Sequence, residues 1–408
     1  MSQPHLLEFC HEIIHNILSA VEPQDIAAVA QTCRALNGYI KSNRLLYKEL
    51  FLRHWDNPQK EKEPEPDWET ELPRLVRLQK LFDSSDINVK KANYPFVSGT
   101  ASSLILNAEP REASRNLDFL RNAFVDKDNR DVFLCSSSLY RYGVEPNQRP
   151  AETVQDRRYS AKLHVLFGTL TDVTPQAFLS THPVARSIVY DIRRYTDGTL
   201  WGPFLDDGLQ RIDWEKMEAL MVDLGHNLRQ FSERTKGLFQ PPWDRPFTGV
   251  TPNSYTPSEP MIRCPHFEPQ PSFVPLSSSK PKLSKQIDPA LVAQDPYGIT
   301  GTWRRVVCFL DYNDFYRFNF TDALELPQPR EPIHKQEAIR LITLKLRVTK
   351  FETPGEDDGQ ALPIAHFTGT SRSMHASWDP NANSKIRGTV RLTREGEVRW
   401  TTLSVFHG

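Results

Sequence analysis

LEFCHEIIHNILSAVEPQDIAAVAQTCRAL, residues 7–36, is the stretch whose reading decides how the N-terminus folds. Ile13, Ile14, Ile17, Leu18 and Val21 recur on one side of a 3.6-residue period, which predicts an amphipathic helix. Glu22-Pro23-Gln24-Asp25 then starts a second helix, with proline in the first turn and acids at the positive end of the dipole. Ile26, Val29, Ala30 and Cys33 continue that helix on one face. A third is expected from Asn43 as cap, with Leu46, Leu50 and Phe51 on one side. A unit this short buries too little surface to be stable alone, and units near or below about 40 residues usually need a staple or a partner. Its isoleucines and leucines exceed what three short helices can hide. A partner surface is therefore expected, the alternative being docking on the chain's own β domain.

The order of residues resembles an F-box. That family's pattern is Leu-Pro, then Glu-Ile/Leu, Ile-Leu, Asp-Leu/Ile and Cys-Arg pairs. Glu12-Ile13, Ile17-Leu18, Asp25-Ile26 and Cys33-Arg34 follow it in order and spacing. Phe9 and Cys10 stand where Leu and Pro are usual; Phe9 keeps the bulk, while Cys10 gives up the ring-fixed φ. The resemblance implies a Skp-type adaptor as partner and, through it, a cullin. It places the adaptor contact on Leu7, Phe9, Cys10, Glu12, Ile13, Ile14, Ile17, Leu18, Val21, Pro23, Asp25, Ile26, Val29, Cys33 and Leu36.

Two polar stretches divide the rest. Asp56–Glu71 is dense in charge, and a Pro-rich run covers 241–296, where proline excludes a long helix or a central strand. Between them, Lys162–Phe167 and Ser187–Ile192 read as strands and Asp197-Gly198 as a turn. Asp213 opens the clearest helix, striped by Trp214, Met217, Leu220, Met221, Leu224, Leu228 and Phe231, with Gly237 as its C′ residue. Beyond 297 the pattern is β. Ile342, Leu344, Leu346 and Val348 alternate with polar residues, as do Ile386, Gly388, Val390 and Leu392, and Glu395-Gly396 turns into Val398 and Trp400. Strict alternation means one buried and one wet face, the mark of an antiparallel sheet or barrel.

The chain has 408 residues, 50 Lys+Arg against 51 Asp+Glu, 32 Pro and 5 Cys. A net charge of −1 removes the plainest argument for nucleic-acid binding. No run approaches the roughly 18 apolar residues of a membrane span, no signal peptide is visible, and the odd, scattered cysteines fit a reducing compartment. An intracellular protein without cofactor is expected. His11-Glu12-Ile13-Ile14-His15 spells the H-E-x-x-H of a zinc hydrolase. Leu18 and Val21 break the extended form of that motif, Glu49 is an unframed third ligand, and coincidence is the better reading. Cys264-Pro-His266 lacks a second ligand pair. Gly369-Thr-Ser371 lacks the second glycine of a nucleophile elbow. Glu356-Asp357-Asp358-Gly359 reads as a solvated turn. No catalytic constellation and no metal set emerges.

Gly301-Thr302-Trp303 at the start of a first strand resembles the lipocalin-type barrel, whose Trp closes the floor. With the F-box and the 197–229 segment, the chain resembles fungal-type F-box proteins whose C-terminal region forms a lipocalin-like β domain. The resemblance implies that this domain recruits a protein target, by a short peptide motif in related mammalian proteins. The aromatics Trp303, Phe309, Tyr312, Phe315, Tyr316, Phe318 and Phe320 are expected to fill the barrel. A sharper expectation sets Trp303, Tyr312, Phe315 and Arg317 at a substrate-binding mouth. The chain stops soon after the 398–406 strand, so either the middle piece completes the barrel or its edge is open to strand addition. The expected fold class is α+β. A three-helix F-box (5–55), a polar linker (56–71), a mixed segment (72–240) and a connector (241–296) precede a mostly antiparallel, barrel-like β domain (297–408). The expected role is a non-catalytic substrate receptor of a ubiquitin ligase; the alternative is an F-box scaffold or ligand carrier outside ubiquitylation.

Overall fold

The computed structural model describes residues 6–58, 64–109, 114–143, 145–168, 175–236, 245–250, 289–321, 324–373 and 383–406. Gly237, Cys264, His266 and most of the 241–296 stretch lie outside them.

The N-terminal part is helical: α1 (His11–Ser19), α2 (Ile26–Thr32), α3 (Arg34–Ile40) and α4 (Arg44–His54). Asn43 caps α4 as the sequence predicts, its Oδ1 accepting from Leu46 N at 3.1 Å. The second expected helix divides at Cys33, whose extended backbone (φ −156°, ψ 161°) interrupts it, while its sulfur accepts the Leu36 N–H at the start of α3.

Eight helices follow among the described residues: α5 (Trp68–Asp83), α6 (Ile87–Lys91), α7 (Tyr94–Leu106), α8 (Arg115–Ala123), α9 (Lys127–Leu134), α10 (Val154–Phe167), α11 (Pro175–Val189) and α12 (Trp214–Arg234). The strands expected at 162–167 and 187–192 are not there. Thr153 caps α10, and Ser160, Leu163, His164 and Phe167 are buried at helical spacing. A short run such as Leu163–Phe167, four apolar residues around His164, fits either period, and tertiary packing decides it. Asp213 caps α12 as expected; the left-handed residue beyond its end is Lys236 (φ 52°).

One continuous apolar core runs from Ile14 and Leu18 on α1, through Leu46, Leu50, Phe51 and Trp55 on α4, to Trp68, Phe82, Phe133 and Phe247. The head is therefore packed on the helical body by its inner side, and part of the expected polar linker packs with it. Asp56, expected in that linker, is buried. Its carboxylate accepts from Ser114 Oγ (2.5 Å) and from the backbone N–H groups of Glu109 (3.1 Å) and Arg115 (2.9 Å). An anion there satisfies orphan donors at the start of α8.

The C-terminal part comprises α13 (Pro289–Ala293), β1 (Gly301–Phe309), α14 (Tyr312–Phe320), β2 (Ala338–Glu352), β3 (Ile364–Ser373), β4 (Asn383–Leu392) and β5 (Val398–Phe406). The strands form an antiparallel meander in chain order. Opposed residues share a face, so the registers Trp303↔Leu344, Leu346↔Gly369 and Val390↔Trp400 put the alternating apolar residues on one side. The sheet curls toward that side until Trp303 of β1 and Trp400 of β5 meet edge to face at 5.7 Å. Gly388 permits the curl: a Cβ there would press on the Thr401 carbonyl and stand 2.7 Å from Phe367 Cζ. The result is a half-barrel in an α+β fold. Among the described residues β1 and β5 each pair on one side only, so the middle piece adds no strand.

Sheet and helical body meet at a buried joint. Arg186 Nε (α11) donates to Asp223 Oδ1 (α12, 3.2 Å) and to Glu337 Oε2 just before β2 (2.9 Å). Asn227 Nδ2 adds a bond to Glu337 (2.6 Å), and Tyr190 donates its hydroxyl to Glu337 while accepting from Leu310 N (2.9 Å). Among the described residues no helix is long and apolar enough to cross a membrane.

Asp56→Ala should lower stability by roughly 3 kcal/mol, since it strands buried donors in a low-dielectric site. Chemical denaturation checks it, with Asp56→Asn expected to retain part of the loss.

Candidate functional site

After the inner side of the head is packed, α1 and the residues just before it still present an apolar stripe toward solvent. Phe9, Ile13 and Ile17 follow at intervals of four and are 38%, 43% and 41% exposed; Leu7 before them is 48% exposed. Such a row is one side of a helix. Ile14, Leu18, Pro23, Ile26 and Leu36 are buried beneath it, Val21, Val29 and Cys33 are half-buried, and Cys10, Glu12 and Asp25 are exposed. The fifteen residues tied to adaptor binding thus separate into an outward set and a supporting set. Cys10 keeps φ −65° and ψ 158°, the extended geometry that a proline would impose. Glu12 sits in the first turn of α1, where its own backbone N–H and the Cys10 thiol hold its carboxyl below the ordinary range.

The family comparison falls on these helices. Residues 11–53 match the family model described as F-box-like. No curated protein and no solved structure matches the chain. In the F-box-like domain the H-E-x-x-H histidines have other uses. His15 Nε2 lies 2.9 Å from Glu49 Oε2, and His11 stacks on Tyr39 at 5.7 Å. Among the described residues, metal-capable side chains converge elsewhere, at His182, Asp223 and Glu337.

That convergence is the joint between body and sheet, and Arg186 occupies it: besides both carboxylates, its Nη2 lies 2.5 Å from His182 Nε2. The guanidinium is the counter-ion there. Burial pushes the Asp223 and Glu337 carboxyls up and holds His182 and His226, stacked at 3.6 Å, down at about 3.

The second candidate surface is the concave side of the half-barrel. Trp303, Arg305, Leu344, Leu346, Phe367, Ile386, Trp400 and Thr402 line a cleft of about 320 Å³. Desolvation lowers the Arg305 pKa, and no carboxylate pairs with it among the described residues. Only Trp303 of the four residues expected at a binding mouth is here. Tyr312, Phe315 and Arg317 lie on α14, roughly 20 Å of strand away at the far end of β1. Asp311 accepts from Asn313 N, ends the strand and caps that helix. The dense aromatics are thus not barrel filling: Phe315 packs on Tyr190, while Tyr312, Tyr316 and Phe320 form an exposed ladder. Pattern reading missed Arg305, Phe367 and Trp400 as cleft residues. The alternation placed Trp400 on the correct face, but only the curl brings it to Trp303.

His182 titrates near 6.5 unfolded and about 3 folded, so its stabilisation is complete above pH 6.5 and is lost as pH falls through that window. About 2 kcal/mol should disappear between pH 7 and pH 5 through His182. The raised carboxyls act with the opposite sign, their contribution being lost as pH rises. Comparing denaturation of wild type and His182→Asn at both pH values isolates the imidazole; the variant should show the smaller acid loss.

Proposed function

We propose that the chain is the target receptor of a Skp–cullin–F-box ubiquitin ligase, of the fungal type with a lipocalin-like β domain. The observation that carries this is the solvent-facing stripe Leu7, Phe9, Ile13 and Ile17 on an F-box-like domain whose other side is already buried. Such a stripe suits a Skp-type adaptor, with Ile14, Leu18, Pro23, Ile26 and Leu36 holding its helices in place. Residues 5–55 act as the head, the 72–240 helices as a rigid spacer, and 297–408 as the target-binding unit.

Catalysis then needs no residue of this chain. A receptor accelerates transfer by holding the target lysine near a charged conjugating enzyme, a gain in proximity and orientation. The protein works inside the cell, where adaptor and cullin are found. The concave cleft, with Trp303, Trp400 and Arg305, supports recognition of a short peptide. The same apolar cleft favours a second reading, a ligand carrier that uses its F-box outside ubiquitylation; such a carrier would not bring cullin with it.

Co-expression with the Skp adaptor tests the leading reading. Each exposed Ile→Asp change removes side-chain burial worth about 1.5 kcal/mol or more, so Ile13→Asp with Ile17→Asp should weaken the complex at least roughly a hundredfold. Unchanged circular dichroism would show the fold intact. Failure of the wild-type chain to co-purify, or indifference to the pair, overturns the proposal.

A further inference from the structure

The sheet's two faces differ in charge as sharply as in hydropathy. The whole chain is almost balanced, 50 basic residues against 51 acidic. The five strands hold eleven lysines and arginines and one acid, Glu352, which Lys350 and His366 already engage at the end of β2. The registers show where many of these cations go. Lys345 faces Thr370, which faces Lys385; Arg347 faces Thr368, which faces Arg387; Thr343 faces Arg372. All lie on the face opposite Leu344, Phe367 and Ile386, the convex, outer face.

The pattern is a pair of cation columns, Lys345 with Arg347 on β2 and Lys385 with Arg387 on β4, flanking Thr368 and Thr370 of β3. Strands are about 4.8 Å apart and same-face residues about 6.8 Å along a strand, so a threonine separates the cations across the sheet, while Lys345 and Arg347, like Lys385 and Arg387, follow one another directly along their strands. Lys345, Arg372, Lys385 and Arg387 are exposed, and none has a carboxylate partner among the described residues. Arg347 is half-buried, donating to Thr368 Oγ1 at 3.3 Å. The far end of the face is used internally: Arg391 lies 3.4 Å from Asp358, and Arg399 donates to Gln210 at 2.6 Å.

We infer that this convex basic face docks an acidic segment of a partner protein, bearing carboxylates or phosphates. Charge complementarity selects the occupant. Like charges held this close repel one another, and an extended anionic chain crossing the rows removes that repulsion while hydrogen-bonding the threonines. The sheet's tryptophans, Trp303 and Trp400, both point to the concave side with Phe367. Among the described residues the convex side therefore shows no tryptophan platform of the kind by which sheets hold single-stranded nucleic acid, which favours a peptide. Of the chain's own acidic stretch, Glu65 is engaged elsewhere, bridging Arg44 and Lys48 on α4. Naming the segment as that of a ubiquitylation target rests on the receptor reading above; the docking itself does not.

The test uses the full chain without adaptor, so its failure and that of the receptor reading are distinguishable. Fluorescence anisotropy would follow a labelled Glu-rich peptide, its phosphoserine counterpart, its Gln counterpart and an oligouridylate. Both acidic peptides should bind, weakening with salt, and the tighter of the two identifies the anion preferred. The Gln peptide should not bind. Lys385→Glu with Arg387→Glu should weaken acidic-peptide binding about tenfold or more, Lys385→Gln with Arg387→Gln less so, both with unchanged tryptophan fluorescence. No binding by either acidic peptide, equal binding by the Gln peptide, indifference to both variants, or tighter binding by oligouridylate would each overturn the inference.

Discussion

The arrangement of this molecule depends on one buried guanidinium. Arg186 is almost wholly enclosed and stands between Asp223 on α12 and Glu337 at the entry to β2. Two carboxylates cannot be desolvated side by side without a counter-charge, and a cation cannot be buried there without them. The three side chains therefore enforce one another, and they come from three segments far apart in sequence. Tyr190 and Asn227 complete the acceptor capacity of Glu337, and Ile333 N donates to the Pro183 carbonyl at 3.0 Å close by. A joint of this kind contributes little net stability over an apolar one, because desolvation offsets attraction. Its effect is on geometry: hydrogen-bond directions fix the angle at which sheet meets body.

That fixed angle matters because the other junction in the chain is equally closed. Trp55 and Trp68 are buried on either side of the segment between α4 and α5, and Asp56 closes onto the start of α8. The F-box-like domain is thus continuous with the helical core. Its inner residues are shielded by the body, and the outer row Phe9, Ile13 and Ile17 remains exposed. The apolar excess legible in residues 7–36 is accordingly divided between intramolecular and intermolecular burial. The division follows from helix geometry, since Ile13 and Ile17 point away from Ile14 and Leu18.

Legibility in the sequence tracked the range of the interaction. Caps are local, so Asn43 and Asp213 could be read correctly without the fold. Alternation is local too, so β2 and β4 were readable with the correct face inward. Leu163–Phe167 was not, because four apolar residues around His164 fit two periods and burial of Ser160 and His164 is a tertiary fact. The aromatic run after β1 misled for the opposite reason. Its composition suggests core, whereas Asp311 and the i, i+4 spacing of Tyr312, Tyr316 and Phe320 make a surface helix. The joint at Arg186 carries no pattern at all: nothing in the spacing of residues 182, 186, 223 and 337 announces that they meet. The F-box-like domain was the most legible part because its order of residues, more than its period, carried the reading.

A sheet that is apolar on one face and basic on the other resolves the chain's near-zero net charge into opposite local balances. The concave side uses its alternate positions for Leu344, Leu346, Phe367, Ile386 and Trp400, which leaves every convex position free to be polar. Threonine suits those positions by β-propensity, and lysine or arginine there guards against edge-to-edge pairing of a sheet whose β1 and β5 edges are open. That protective role accounts for a few cations at the edges. It does not account for Lys345, Arg372, Lys385 and Arg387, which lie on the inner strands β2, β3 and β4, where no edge needs guarding. Charge concentrated at the middle of a sheet, away from any edge, with acids almost absent from all five strands, is the pattern expected of a surface that meets an anion.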